Sequence, residues 1–290
     1  MLWIAERWRD YELLDAGDGE RLERWGQWIL RRPDPHVIWP AIIGGPLWKK
    51  AHAHYHRSPE GGGQWEFLER LPERWELNYD QLRFYVRPMG FKHTGLFPEQ
   101  ASNWDWLMDK IGAAPEPVRV LNLFAYTGGA TVAAAAAGAE VVHVDAAKGM
   151  VAMAKENLAL SGLGDRPVRF IVDDVLKFVA REERRGRQYE GIIMDPPSFG
   201  RGPGGEVWKA EDELFNLVKA CRRILAPRPL FLLLNSYTNG IGPLALGNIL
   251  AFHLKPDYGG KVDFAEVGLP VAGTEIALPC GNCARWESAG

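Results

Sequence analysis

The sequence predicts an α/β fold, a doubly wound and mostly parallel sheet with a smaller β-rich subdomain at the N-terminus, and three observations predict it. From about residue 118, short apolar runs alternate with segments of helical periodicity, the pattern of strands joined by crossover helices. Upstream of that point the alternation is missing, and most of the tryptophans lie there. Acidic residues recur at the carboxyl ends of the strand candidates (Asp145, Asp173, Asp174 and Asp195), where open sheets of this class bind ligands.

Taken in order, the N-terminal stretch reads as a β-rich meander. Its runs YELLD, HVIWPAII, WEFLERL and LRFYVRP are broken by Gly-Asp-Gly, Pro-Asp-Pro and Gly-Gly-Gly turns. The stretch 113–117 (AAPEP) suits a linker, so the subdomain is assigned to 1–115 and the α/β domain to 116–290. A first strand at 118–125 (VRVLNLFA) ends in a turn, and an Ala-rich helix starts at Gly128 or Gly129. The strand EVVHVDA (140–146) is followed by a helix through GMVAMAKENLALSGL, whose apolar residues recur at helical spacing. VRFIVDD (168–174) and the helix VLKFVAREERR repeat the unit, followed by the strand EGIIMD (190–195), a loop, the helix AEDELFNLVKACRRIL and the strand PLFLLLN (229–235).

A chain of 290 residues with 47% hydrophobic content can bury a sizeable core, which excludes a disordered protein. Three cysteines make no disulfide framework, and the opening MLWIAERWRDYELL mixes charges into what would be a signal core. The Ala-rich stretch 130–142 is short and interrupted by Gly138 and Glu140, so no membrane span is expected. The expectation is a soluble, reduced, cytoplasmic protein. A net charge of -3 gives no overall electrostatic footprint of a phosphate binder. Basic clusters occur at Lys49-Lys50 and at 181–187 (REERRGR); the latter contains two glutamates and reads as a solvated helix end or as a local nucleic-acid contact.

The turn from Asn122 to Gly129 lacks the three-glycine spacing that lets a backbone close on a pyrophosphate, so a dinucleotide is disfavoured. Asp145 lies about 20 residues beyond the start of that turn, where such folds place a carboxylate that accepts from ribose hydroxyls. A nucleoside without a diphosphate fits both facts; a plain helix start and a helix cap are the alternative. Asp173 and Asp174 offer acceptors for an exocyclic amine, or serve as acidic caps. At Asp195-Pro196-Pro197-Ser198-Phe199 the two prolines fix an extended loop without backbone donors, and Phe199 can stack on a planar substrate.

The segments NLFAYTGG, VVHVDAAKGMVAMAKENLALSGL, FIVDDVLKF and IIMDPPSFGRG resemble the motifs of class I S-adenosylmethionine-dependent methyltransferases. More narrowly, they are similar to the large-subunit ribosomal RNA methyltransferases that modify cytosine C5 or guanine N7. The likeness covers about 84–240 and, more loosely, the end of the chain. It implies a Rossmann-like sheet of seven strands, S-adenosylmethionine as cofactor, and RNA, ribosomal RNA above all, as substrate. The segment 90–104 (GFKHTGLFPEQASNW) is similar to the part of that family that folds over the cofactor, which places Phe97, Pro98 and Gln100 near it. By the same resemblance Asn122, Phe124, Ala125, Tyr126, Thr127 and Gly128 form the methionine-side wall, and Asp145 with Ala146 holds the ribose. Asp174, beside Asp173 and Val175, meets the adenine amine. Asp195, Pro196, Pro197 and Phe199 then surround the transferred methyl group.

Methylation of a pyrimidine at C5 needs a cysteine thiolate to add at C6. In the cytosine-modifying members that cysteine follows the fifth strand, and here the segment reads Leu234-Asn235-Ser236-Tyr237-Thr238. Cys221 falls inside an amphipathic helix, and Cys280 and Cys283 lie near the chain's end. A nitrogen nucleophile is therefore favoured, with Asp195 orienting it or accepting its proton. Ser198 departs from the Asp-Pro-Pro-aromatic pattern of exocyclic amino-group methylases. No metal is expected: Cys280 and Cys283 lack a second cysteine pair, and His52, His54 and His56, which share one face of a strand, read as a polar face beside cationic neighbours. A protein or small-molecule acceptor is the second enzymatic reading, and a non-catalytic nucleoside-binding scaffold the third.

Overall fold

The computed structural model describes residues 1–58, 62–201 and 207–289. The chain forms two compact units, one made of 4–102 with 268–280, the other of 1–3, 103–267 and 281–290.

After β1 (Leu2–Ile4), the strands β2 (Tyr11–Gly17), β3 (Glu20–Trp25), β4 (Trp28–Pro33), β5 (Ala53–Arg57) and β6 (Gly63–Phe67) form a five-stranded sheet in chain order. All neighbours in it are antiparallel except β4 and β5. β7 (Trp75–Tyr79) and β8 (Leu82–Val86) make a separate hairpin. The Gly-Asp-Gly turn behaves as its sequence requires. Asp18 and Gly19 take φ of 53° and 80°, the pair of positive values that lets a two-residue hairpin follow the twist of its strands. Leu13, Leu22, Trp25 and Leu30 fill the interior. Buried beside them, Glu23 accepts from Arg32 Nε and Nη2 at 2.6 and 2.7 Å and from the Tyr11 hydroxyl at 2.7 Å. Although burial works against its charge, Arg21 and Arg32 hold the Glu23 carboxyl down at about 2.

One expected run is not a strand. The stretch 36–43 (HVIWPAII) is irregular because Asp15 draws it in as a loop: its carboxylate accepts the N–H groups of Ile42, Ile43 and Gly44 and the Trp48 indole N–H at 2.8–3.1 Å. Pro40, with no N–H, removes a ladder donor from the middle of the run.

The α/β unit follows the alternation read from the sequence. Its elements are α1 (Ala101–Gly112), β9 (Arg119–Leu123), α2 (Gly129–Ala136), β10 (Glu140–Asp145), α3 (Lys148–Leu160), β11 (Val168–Val172), α4 (Val175–Arg184) and β12 (Gly191–Met194). The short hairpin β13 (Phe199–Arg201) and β14 (Val207–Lys209) leads into α5 (Ala210–Arg222), β15 (Phe231–Ser236), α6 (Pro243–Tyr258), β16 (Lys261–Pro270) and β17 (Ala277–Glu287). The main sheet has the order β1-β16-β17-β15-β12-β9-β10-β11. β15, β12, β9, β10 and β11 are mutually parallel, and β17 joins antiparallel to β15. These with β16 are the seven strands expected, and β1 adds an eighth at the edge.

Apolar runs buried on both faces explain the parallel core. Leu121, Leu123, Ile192, Met194, Leu232 and Leu234 join Phe178, Leu214, Leu217, Leu246 and Leu250 in one cluster, each side chain contributing about 1.5–3 kcal/mol through burial. The boundary between the units falls at 102/103, not in the stretch 113–117, because Trp104, Leu107 and Ile111 of α1 are buried within the α/β unit. The tip of the β16–β17 hairpin, 268–280, belongs to the N-terminal unit, where Ala5 N–H donates to Gly268 O and Ala272 N–H to Leu13 O. Among the described residues no helix is long and apolar enough to cross a membrane.

Candidate active site at the strand ends

The parallel strands finish in register. Leu123 of β9 pairs with Val144 of β10 and Met194 of β12, while Asp145 pairs with Val172 of β11. Phe124, Asp145, Asp173 and Asp195 therefore emerge along one edge of the sheet. The winding of the chain reverses at β9, which is flanked by β10 and β12, and ligands bind at such a reversal.

The turn after β9 is held in a costly conformation. Phe124, Tyr126 and Gly128 have φ of 54°, 50° and 85°. Only glycine adopts this region freely, so the first two positions store on the order of 1–3 kcal/mol each. Specific bonds hold them there: Ala125 N–H to Val144 O at 3.1 Å, Gly128 N–H to Ala125 O at 3.0 Å, and Tyr126 N–H to Asp145 Oδ2 at 2.8 Å. The other oxygen of Asp145, Oδ1, accepts from Ala147 N–H at 2.8 Å, so one half-buried carboxylate ties the turn after β9 to the turn after β10. Asn157 Nδ2 donates to Thr127 O at 2.8 Å. A Cβ on Gly128 would lie 2.9 Å from the Ala154 Cβ and one on Gly129 2.6 Å from the Trp104 ring, so both glycines also permit close approach of neighbouring helices.

Asn122, read from the resemblance as part of the cofactor wall, is only 2% exposed. Its amide donates to Thr131 Oγ1 at 2.9 Å, and that hydroxyl pairs with His143 Nδ1 at 2.9 Å, so Asn122 braces the turn from inside the sheet. Burial pushes the His143 ring down to about 3.

At the end of β11, Asp173 forms an ion pair with Arg181. Asp174 is the N-cap of α4, its Oδ1 accepting from Lys177 N–H at 2.9 Å, with Val175 buried behind it. The acidic-cap alternative thus describes Asp174, whose cap bond engages one of its two oxygens. Ala146 sits exposed between Asp145 and Ala147.

At the end of β12, Pro196 is buried and Pro197 exposed. Phe199 is 54% exposed and opens the β13–β14 hairpin. The Pro197 carbonyl is engaged, because the indole of Trp208 donates to it at 2.7 Å. The Trp208 ring also meets that of Phe124, with centroids 5.4 Å apart, so it joins the Asp-Pro-Pro loop to the turn after β9. The sequence reading missed Trp208; its signal was that it is the one tryptophan between Trp106 and Trp286.

A polar group under the end of β15 was missed as well. Asn103 Oδ1 accepts from Arg285 Nε and Nη2 at 2.9 and 2.7 Å, while its Nδ2 donates to Asn235 Oδ1 at 3.2 Å. Arg285 lies over the rings of Trp3 and Trp106 at 3.7 and 5.1 Å. In the same group, burial pushes the Cys283 thiol up to about 12, and the Asp195 charge adds to the rise. Cys221 and Cys280 are also buried, with thiols raised by burial.

Phe97, Pro98 and Gln100 belong to the N-terminal unit. They lie in and just before a single buried turn, Pro98–Gln100, whose first carbonyl accepts from the Trp8 indole at 2.9 Å, and the Phe97 ring packs on His93.

Comparison with known proteins identifies the family. The family model for S-adenosylmethionine-dependent methyltransferases matches residues 38–243. The crystal structure of an S-adenosylmethionine-dependent methyltransferase from Agrobacterium tumefaciens is 38% identical, superposes with a TM-score of 0.93, and is matched over 99% of this chain and 93% of its own. Among curated proteins, the ribosomal RNA large subunit methyltransferase K/L of Syntrophotalea carbinolica is 29% identical over 210 residues, 70% of this chain and 28% of that protein. Ribosomal RNA large subunit methyltransferase K of Neisseria meningitidis is 27% identical over 191 residues, 63% of this chain and 53% of that protein. The chain thus spans about a quarter to a half of the length of these curated relatives. With a family model covering most of its length and a solved relative matched almost end to end, the chain belongs to the S-adenosylmethionine-dependent methyltransferases.

Proposed function

We propose that this enzyme methylates a nitrogen of an RNA base, and that the RNA is ribosomal. S-adenosylmethionine, the methyl donor of the family, supplies a methyl carbon made electrophilic by the sulfonium it is bonded to. The strand-end residues suit that molecule: an acceptor carboxylate at Asp145, a turn after β9 without the three-glycine spacing for a diphosphate, and carboxylates one strand away at Asp173 and Asp174. Asp145, beside Ala146, keeps lone pairs for ribose hydroxyls after accepting its two backbone N–H groups. Phe124, Ala125, Tyr126, Thr127 and Gly128 line the methionine side. Asp174, with the oxygen that its cap bond leaves over, and Val175 receive the adenine. By the resemblance of the segment 90–104, Phe97, Pro98 and Gln100 are assigned to the cofactor as well, and the N-terminal unit to substrate recognition or to a buttress.

The observation that carries the choice of nitrogen is the state of the cysteines. All three thiols are buried and their ionisation is suppressed, so the chain offers no thiolate to activate a pyrimidine at C5. A base nitrogen needs no such help. Its lone pair forms the new N–C bond as the C–S bond breaks, the electron pair of that bond stays on sulfur, and the proton left on nitrogen passes to Asp195 or to water. Pro196 and Pro197 stiffen the loop, and the exposed Phe199 offers a face for the base to stack on. Ribosomal RNA is supported by the curated relatives, which are ribosomal RNA large subunit methyltransferases.

The test is to incubate the protein with isotopically labelled S-adenosylmethionine and unmodified ribosomal RNA, then digest to nucleosides for mass spectrometry. An N-methylated nucleoside is expected, formed roughly 100-fold more slowly by Asp195→Asn. Label at C5 of a pyrimidine, or none in RNA, would contradict the proposal.

A further inference from the structure

In the five-stranded sheet of the N-terminal unit, β5 presents His54 and His56 two residues apart, and therefore on one face. β6 runs antiparallel to it with Glu66 directly opposite His54. The ligand atoms of His54, His56 and Glu66 all lie within 4.8 Å of one another, and among the described residues no other group of histidine, cysteine and carboxylate side chains is gathered this closely. The two imidazole rings are 3.9 Å apart between centroids. His56 Nε2 lies 2.7 Å from Glu66 Oε2. A second carboxylate adjoins from β3, with Glu20 Oε1 2.6 Å from His54 Nε2 and its other oxygen, Oε2, held by Arg31 Nε at 2.6 Å.

We propose that His54, His56 and Glu66 form a binding site for a borderline divalent transition-metal ion, zinc in the first instance, with Glu20 beside His54 at its margin. Zinc accepts imidazole nitrogen and carboxylate oxygen at about 2.0–2.2 Å, which puts tetrahedral donors about 3.4 Å from one another. The present separations bracket that value, so the ion takes the place of the His–Glu hydrogen bonds through small side-chain rotations, without movement of the paired strands. This departs from the sequence reading, in which His52, His54 and His56 are a polar strand face and no metal is expected. His52 precedes the strand, its Nδ1 accepts from Ile29 N–H at 2.7 Å, and Glu66 from the neighbouring strand replaces it. Because the ligands come from β5 and β6, a bound ion clips these two strands together and stabilises the folded unit by mass action.

The test is a titration of the chelator-treated full chain with Co2+, followed by visible absorption, and then competition with Zn2+. One saturable site is expected, with affinity lowered at least about tenfold in His54→Ala, in His56→Ala and in Glu66→Gln, and unchanged in His36→Ala. Thermal melts give a second readout: Zn2+ should raise the midpoint of the wild-type chain and of His36→Ala but not of His54→Ala. An absence of saturable binding, or binding and thermal shifts that survive in both histidine variants, would overturn the proposal.

Discussion

Asp145 accepts backbone N–H groups from Tyr126 and Ala147 at 2.8 Å each, so it organises two turns before it meets any ligand. Its place was legible in the sequence, since an acid at the end of a second strand has a spacing that can be read off the chain. The partnership of Asn103 with Arg285 was not, because side chains 182 positions apart meet only through the sheet order. The sequence offers Asp174 as an acidic cap or as an acceptor for the adenine amine; the cap is formed, and one variant addresses both readings. Asp174→Ala should lower unfolding free energy by about 1 kcal/mol through loss of the cap, measured by denaturant titration, and weaken S-adenosylhomocysteine binding if the residue also holds the adenine. His143 carries a pH dependence. Its pKa is about 3 in the folded protein against an ordinary 6.5. The unfolded chain therefore binds more protons between those values: the contribution to stability is complete above pH 6.5 and is lost as pH falls toward 3. Stability measured from pH 6.5 to 5 should fall by up to about 1.4 kcal/mol per pH unit on account of this group, and His143→Gln should remove that part of the slope.

Among the elements, the strands and helices of the α/β unit were legible because buried parallel strands are apolar throughout and amphipathic helices are periodic. The run 36–43 looked like a strand by the same criterion, but it lost to a buried carboxylate that collects three consecutive N–H groups, a competitor that no periodicity reveals. The turn between β9 and α2 is the element on which the site depends most. Gly128→Ala places a Cβ at a φ of 85° and 2.9 Å from Ala154, so a loss of roughly 1–3 kcal/mol is expected in thermal or chemical unfolding, together with weaker cofactor binding. Trp208 fastens the Asp-Pro-Pro loop through the Pro197 carbonyl. Trp208→Phe keeps an aromatic ring against Phe124 but loses that bond. It should lower kcat in the methylation assay while S-adenosylhomocysteine affinity stays within about twofold of wild type, as expected for a neutral hydrogen bond at the acceptor side.

At the scale of the whole molecule, the chain divides into two compact units, and the division was only partly legible. The linker-like stretch 113–117 lies inside the α/β unit, since α1 before it buries its apolar face there, and the C-terminal hairpin tip 268–280 returns to the N-terminal unit. Sequence texture reports local composition, whereas compact units are defined by contacts between distant segments. The proposed function rests on the edge of one sheet, where a strained turn, a clamping carboxylate and a stiff Asp-Pro-Pro loop emerge in register. Calorimetric titration with S-adenosylhomocysteine, comparing the wild type with Asp145→Asn, tests that reading most directly. Saturable binding by the wild type at one site, weakened roughly 10- to 100-fold in the variant while circular dichroism shows the fold retained, is the predicted result. Equal affinity in the two proteins, or no binding by the wild type, would contradict it.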